Sequence, residues 1–159
     1  INKFNKKNIL ANVNTRARIR MTTLYYLAQS NNYLVLGTGN KVEDFGIGFY
    51  TKYGDGGVDI SPIADLLKTE VYKIGEELKI IEDIMNAPPT DGLWDDGKTD
   101  EDQIGATYAE LEWAMNYNGD MKKLDEREKE ILNIYKNFNL ANQHKMIKIP
   151  VCLIPPNLK

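Results

Sequence analysis

Tyr33-Leu34-Val35-Leu36-Gly37 is a short apolar run rich in β-forming residues, bounded by Asn31-Asn32 before it and by Gly37-Thr38-Gly39 after it. Such a run suits a buried parallel strand, which is hydrophobic on both faces because helices cover it. Upstream, Thr15 to Gln29 (TRARIRMTTLYYLAQ) spaces Ile19, Leu24 and Leu27 along roughly one helix face, and Asn14 stands where a cap would start it. A helix followed by a strand predicts an α/β fold.

Downstream of the run, Asn40 to Asp59 carries Gly46, Gly48, Gly54, Gly56 and Gly57, too many for regular helix throughout. Ser61-Pro62 then opens a pattern from Ile63 to Leu78 in which Leu66, Leu67, Val71, Ile74 and Leu78 keep near-helical spacing, predicting an amphipathic helix. Pro88-Pro89 stops the next short segment. Thr90 to Gln103 (TDGLWDDGKTDEDQ) is acidic and turn-prone, which predicts a mobile surface loop. Thr107 and Glu110 have capping-box spacing, so a helix is expected to begin there. A last helix is expected over Lys122 to Phe138, with Leu124, Ile131, Ile134 and Tyr135 on one side. No internal repeat or linker divides the chain.

The chain has 159 residues, 42% hydrophobic and 27% charged, the size and balance of one globular domain. Its 20 basic and 23 acidic residues leave a net charge of −3, which supplies no footprint for wrapping nucleic acid or an anionic membrane. Any anionic ligand must therefore be held by local cations. The single cysteine, Cys152, excludes an intramolecular disulfide and any CxxC site, and a reducing cytoplasm is the expected setting. No apolar run approaches the roughly 20 residues of a membrane span, and Ile1 to Leu10 lacks a signal peptide's apolar core. The first residue is Ile rather than Met, and the chain is expected to begin inside a longer product.

Several familiar motifs are absent: the Walker loop, HExxH, and a third glycine after Gly37-Thr38-Gly39 or Gly46-Ile47-Gly48. The acids of Asp95 to Asp102 miss the calcium-loop spacing. Four clusters remain. Arg16, Arg18 and Arg20 point to different sides of a helix, so at most one or two meet a given ligand, and plain surface charge is the alternative. Thr38 to Glu43 follows the expected strand, where open α/β sheets bind ligands; there Thr38 suits a nucleotide and Glu43 suits Mg²⁺, against a turn threonine and an exposed glutamate. Thr51 to Asp59 offers Lys52, Asp55 and Asp59 around three glycines that let backbone approach a ligand, although a tight hairpin turn fits equally. His144-Lys145 suits a phosphate or carboxylate, or else mere surface decoration.

Taken together, Asn14-Thr-Arg-Ala-Arg18-Ile-Arg20-Met21, Leu36-Gly-Thr38 with Glu43, Gly48-Phe-Tyr-Thr-Lys-Tyr-Gly-Asp-Gly-Gly57, Pro89-Thr90 and His144-Lys145 resemble the ammonia-dependent NAD synthetases, in order and spacing across nearly the whole chain. FYTKYGDGGVDISPIADLLKTEVY is the most specific part. The resemblance implies a Rossmann-like parallel sheet flanked by helices, of the adenine nucleotide alpha hydrolase-like kind. It further implies a two-step amidation. ATP adenylylates the nicotinate carboxylate of nicotinic acid adenine dinucleotide (deamido-NAD) and pyrophosphate leaves; ammonia then displaces AMP to give NAD.

Carried over by position, Thr38, Lys68 and Thr90 resemble ATP contacts and Glu43 a magnesium ligand, with Lys68 in the first turns of the helix expected from Ile63. Arg18, Lys52, Asp59, His144 and Lys145 match positions that hold deamido-NAD. Asp55 resembles the acid beside the ammonia site, and Asp55 and Lys68 are the implied catalytic pair. Residues 88–103 resemble a flap over the substrates. The resemblance also implies a homodimer, with the Arg18 helix at its interface, and Mg²⁺ alongside ATP.

Two departures accompany the match. The family's SGGxDS pyrophosphate loop does not occur, which implies that residues 1–159 are the C-terminal part of a single synthetase domain whose front is missing, inactive alone. One residue is also inserted between Glu43 and Phe49 relative to the family. Two rival readings stand beside this one. The first is the synthetase part of a glutamine-dependent ATP pyrophosphatase; the second is a non-catalytic nucleotide-binding or dimerisation module.

Overall fold

The computed structural model describes residues 8–94 and 97–158; Ile1 to Lys7, Asp95 and Asp96, on which part of the leader and acidic-loop readings fall, lie outside them. The first helix, α1 (Ile9–Asn31), is longer than its apolar pattern predicts. The difference lies in its cap, since Asn8 rather than Asn14 accepts the N–H of Ala11 at 3.1 Å. Asn14 is inside the helix, where its side chain accepts the Thr51 hydroxyl at 2.7 Å. Asn32 ends α1 in the left-handed conformation that asparagine tolerates.

The run after it is extended but does not become a strand. The Asp59 N–H donates to the Val35 carbonyl at 2.9 Å and the Gly37 N–H to the Ile60 carbonyl at 2.7 Å, forming one parallel bridge between Leu36 and Ile60. The partner segment then turns away at Ser61-Pro62, and among the described residues no second neighbour stands on the other edge, so the ladder stops after one rung. The expected Rossmann-like sheet is thus reduced, among the described residues, to this bridge inside a helical structure. Tyr33, Leu34 and Leu36 are consequently 71%, 66% and 57% exposed, where a sheet strand would bury them.

The helix expected from Ile63 begins at Lys68. Residues 61–66 wind instead through successive turns, and α2 (Lys68–Glu77) starts where carboxylates meet its free N–H groups. Glu70 accepts from Leu67 at 2.8 Å; Glu112 accepts from the Thr69 backbone at 2.9 Å and from its hydroxyl at 2.7 Å. A short helix, α3 (Glu82–Met85), follows.

The acidic segment is docked rather than simply solvated. Leu93 is buried against Val13 and Ala17 of α1, with Trp94 packed beside them. Arg16 donates to the Leu93 carbonyl at 2.8 Å and Arg20 to that of Gly92 at 3.1 Å. The segment ends in α4 (Asp100–Ile104), capped by Thr99, with Asp100 and Ile104 buried. The capping box at Thr107 and Glu110 forms as expected and opens α5 (Tyr108–Asn116). The last long helix, α6 (Glu126–Met146), starts later and runs further than its pattern suggests, carrying His144 and Lys145 in its final turn.

The main core joins α5 and α6 to a π-helical turn at Val42–Ile47. Val42, Ile47, Leu111 and Ile131 are 0–1% exposed there. A π turn holds one residue more than the α turn it replaces. Across this turn Val42 and Ile47 both lie in the core.

The glycines at 54, 56 and 57 answer to packing as much as to ligands. A methyl at Gly54 would stand 2.9 Å from the Ala17 Cβ and 2.9 Å from the Thr51 side chain. Gly54→Ala is expected to lower stability by about 1–3 kcal/mol, read as a lower midpoint in urea at unchanged slope. Among the described residues no helix is long and apolar enough to cross a membrane.

Candidate functional site

The site is built around one reciprocal cap. Asn40, 1% exposed, accepts the N–H groups of Val42 at 3.0 Å and Glu43 at 3.1 Å, and its own N–H donates to Glu43 Oε2 at 3.3 Å. Glu43 Oε1 accepts the hydroxyl of Tyr108 and faces Lys68 Nζ at 3.4 Å. The ammonium of Lys68 also lies 4.7 Å from the centre of the Tyr108 ring. Asp100 Oδ2 stands 3.4 Å from the same hydroxyl, while its Oδ1 is buried without a partner. Burial first, then the charges of Asp91 and Glu43, push the Asp100 carboxyl above its ordinary pKa. The Tyr108 phenol is pushed strongly upward by burial and by Glu43, so it stays a proton donor.

Glu43, Lys68 and Asp100 wall a cleft of about 540 Å³ that also reaches Thr38 and Thr90. A second cleft, of about 480 Å³, is lined by Arg18, Lys52, His144 and Lys145. Both volumes suit small-molecule ligands. Phe49, Asp55, Asp91 and Leu93 border both, so the two spaces adjoin.

In the second cleft Lys145 is held between the carbonyls of Gly48 (2.9 Å) and Tyr50 (2.7 Å), and its burial lowers its pKa, against the opposing pull of Asp55. Lys52 donates to the His144 carbonyl at 2.6 Å and Arg18 to the Lys52 carbonyl at 3.2 Å. Asp55 accepts the Thr51 N–H at 3.0 Å. Its carboxyl is exposed toward the clefts, and desolvation by the surrounding walls raises its pKa despite the backbone hydrogen bonds and Lys145.

Of the residues singled out in the sequence, Thr38, Glu43, Lys68 and Thr90 meet in the first cleft; Arg18, Lys52, His144 and Lys145 meet in the second; Asp55 stands between. Asp59 is placed elsewhere. Its oxygens accept the Val35 N–H at 2.8 Å and the Tyr25 hydroxyl at 3.2 Å, pinning the bridge segment to α1. Sequence reasoning missed Tyr108, Asp100, Asp91 and Asn40. Asn40 and Glu43 do carry capping-box spacing, a legible signal; nothing local marks Tyr108, which meets Glu43 across 65 residues.

Asp44, beside this cap, has its carboxyl against Gly39. Burial, then the charges of Glu43 and Asp55, raise its pKa to about 6. An acid raised on folding binds its proton more tightly in the native state, so stability falls as pH rises from its unfolded value near 4 to about 6. Asp44→Asn is expected to stabilise the metal-free protein by about 1–2 kcal/mol at pH 7 and hardly at pH 4, as read by thermal melts at both.

No cluster of three metal-ligating side chains occurs among the described residues. An all-protein cage is thus not built here. The single oriented carboxylate of Glu43, on the wall of a cleft that also presents Lys68, is of a kind that suits Mg²⁺, which keeps most of its waters and takes one or two carboxylates together with phosphates.

Two adjoining clefts, one lined by Lys68 and the other by Arg18, Lys52 and Lys145, share the Asp55 carboxylate, whose pKa is raised. The chain belongs to the NAD synthase family, whose profile matches residues 2–149. It is 45% identical over 155 residues to the NH(3)-dependent NAD(+) synthetase of Syntrophomonas wolfei, covering 96% of this chain and 58% of that protein. It is also 45% identical over 129 residues to the enzyme of the same description from Mycoplasma genitalium, covering 81% of this chain and 50% of that one. The chain therefore spans only half or somewhat more of the length of these curated relatives.

Two solved structures share its fold. An NMN synthetase from Francisella tularensis superposes with a TM-score of 0.74 at 34% identity, over 98% of this chain and 59% of that one. An NH3-dependent NAD synthetase from Campylobacter jejuni, in complex with nitrate, gives 0.64 at 28% identity, over 89% and 54%.

Proposed function

We propose that the chain is the C-terminal part of a single-domain synthetase that amidates deamido-NAD with ammonia at the expense of ATP, in the cytoplasm. The observation that carries this reading is Asp55, which lies on the wall common to the two clefts. A reaction joining two bound anions and then admitting ammonia needs its proton acceptor at that junction.

In this reading Thr38, Lys68 and Thr90 hold ATP, while Arg18, Lys52, His144 and Lys145 hold the pyridine nucleotide. A nicotinate carboxylate oxygen attacks the α-phosphorus, the bond to the β-phosphate breaks, and pyrophosphate leaves. Ammonia then adds to the acyl carbon, AMP departs with the shared oxygen, and the surplus proton passes to Asp55. The lysines supply fixed positive charge where phosphate charge develops. Mg²⁺, when bound at Glu43 and the phosphates, neutralises further charge. Leu93, docked on α1 at the wall of both clefts, and Trp94, at that of the second, exclude water from the acyl-adenylate.

The homodimer proposed from the family resemblance is supported by α1, where Ile19, Leu24 and Leu27 are 49%, 53% and 50% exposed on a helix that bears Arg18. The comparisons name ammonia-dependent enzymes, which disfavours the glutamine-dependent rival. The match to an NMN synthetase favours a second substrate reading, nicotinic acid mononucleotide.

The adenylylation half-reaction separates these possibilities. With protein expressed from its complete gene, ATP and Mg²⁺ but no ammonia, labelled pyrophosphate is expected to enter ATP only when deamido-NAD is present. Exchange supported by the mononucleotide instead transfers the assignment to that substrate; exchange with neither refutes the proposal.

A further inference from the structure

We propose that Tyr108 is a positioning residue that fixes Glu43 and Lys68 for the nucleotide and its cation, an inference that rests on the function proposed above. Tyr108 is 5% exposed and is the first residue of α5, so its backbone is locked by the cap at Thr107. Its side chain touches both functional groups of the first cleft at once. The hydroxyl donates to Glu43 Oε1, and the ring face lies 4.7 Å from Lys68 Nζ.

Counting donors shows why this contact matters. Glu43 has two oxygens; Oε2 takes the Asn40 N–H at 3.3 Å and Oε1 takes the Tyr108 proton. Both are rigid donors, one on the backbone and one on a buried ring. The third neighbour, Lys68, is 3.4 Å away on a flexible stem, and an ammonium drawn to a phosphate would leave Glu43. Tyr108 would then be the one side chain still orienting Glu43 Oε1.

The hydroxyl is also confined to the role of donor. Its two neighbours are Glu43 and Asp100 Oδ2, both acceptors, and it has a single proton to give. The closer partner is Glu43. Asp100 Oδ1, with no partner at all, marks how few protons this corner holds. Removing the phenol proton would leave Glu43 Oε1, among the described residues, with the longer 3.4 Å contact to Lys68.

The ring has a separate effect. Its π face attracts the Lys68 ammonium without a full neutralising charge, so the lysine stays in the cleft and remains available to an anion. Phenylalanine keeps that face and the packing volume while deleting the hydroxyl, which makes Tyr108→Phe a test of the proton alone.

The test uses protein from the complete gene and the Mn²⁺ complex of α,β-methylene-ATP, an analogue whose P–C–P bridge cannot break to transfer the adenylyl group, with its dissociation constant measured by calorimetry. Tyr108→Phe is expected to weaken this complex about tenfold, the usual cost of losing a group that orients a metal-binding carboxylate. The melting temperature should change by only a few degrees. In a Glu43→Gln background the same substitution should add less than about a twofold effect, because residues that act through one another are not additive.

Unchanged affinity in Tyr108→Phe, or a lower melting temperature without weaker binding, makes the residue merely structural and overturns the proposal. An equal loss with and without the Glu43 carboxylate also overturns it. Failure of the wild-type protein to bind the complex overturns the nucleotide-site reading itself, and the inference with it.

Discussion

Asparagine in place of Asp55 is expected to lower kcat for ammonia-dependent amidation by about 10²–10⁴-fold, the range for removing a positioned general base. The substitution is nearly isosteric. Its side-chain oxygen can still accept the Thr51 N–H that Asp55 accepts at 3.0 Å, so the Thr51–Asp55 turn should persist. What disappears is the proton acceptor at the junction of the clefts. Because burial raises the Asp55 pKa, the ionised, active form should appear only above the ordinary carboxylate range. Rate plotted against free ammonia is therefore expected to rise with pH along a limb displaced upward from about pH 4, and the limb should vanish in Asp55→Asn. Pyrophosphate exchange, which precedes ammonia, should survive the substitution. A variant that loses exchange and amidation equally would place Asp55 in nucleotide binding instead.

Lys68→Met should act at the other step. It removes an ammonium that shares the first cleft with Thr38, Thr90 and Glu43, while keeping the unbranched stem that begins α2. A loss of about 10²–10³-fold in kcat/KM for ATP is expected, comparable with deleting one preorganised donor to a developing charge. Pyrophosphate exchange should fall by the same factor as amidation. Glu43 would be left with Tyr108 and Asn40, so a stability change of no more than about 1 kcal/mol is expected from the lost 3.4 Å ion pair. Exchange at the wild-type rate would remove Lys68 from the adenylylation machinery.

The contrast between these two residues and Asp59 shows what the sequence made legible. Thr38, Glu43, Asp55 and Lys68 were identified through family resemblance, and the fold brings all four to one cleft. Local patterns alone would have supported only an anionic-ligand region between Thr38 and Asp59. Asp59 matched a substrate position as well, yet it lines neither cleft, and its oxygens accept the Val35 N–H and the Tyr25 hydroxyl. Nothing in a linear pattern reports that an oxygen has already found a partner.

Fold prediction failed where neighbours, rather than propensity, govern. Tyr33 to Gly37 has the composition of a buried strand, but a strand is made by pairing, and among the described residues only Ile60 bridges it. The start of α2 moved from Ile63 to Lys68 because Glu70 and Glu112 supply the acceptors there, and Glu112 is remote in sequence. By contrast, Thr107 and Glu110 form their box as read, since both partners lie within one turn. The π turn at Val42–Ile47 has no local signal in the sequence; it keeps Val42 and Ile47 in the same core as Leu111 and Ile131.

The central claim is that the two clefts meeting at Asp55 join ATP chemistry to amidation of a pyridine nucleotide. Its most direct test supplies the protein from its complete gene with ATP, Mg²⁺, deamido-NAD and ammonium, and follows NAD and AMP together. Equal yields of NAD and AMP, both lost without ammonium or ATP, are the predicted result. A folded, complete protein that makes no NAD, or that makes AMP without amide, would contradict the account.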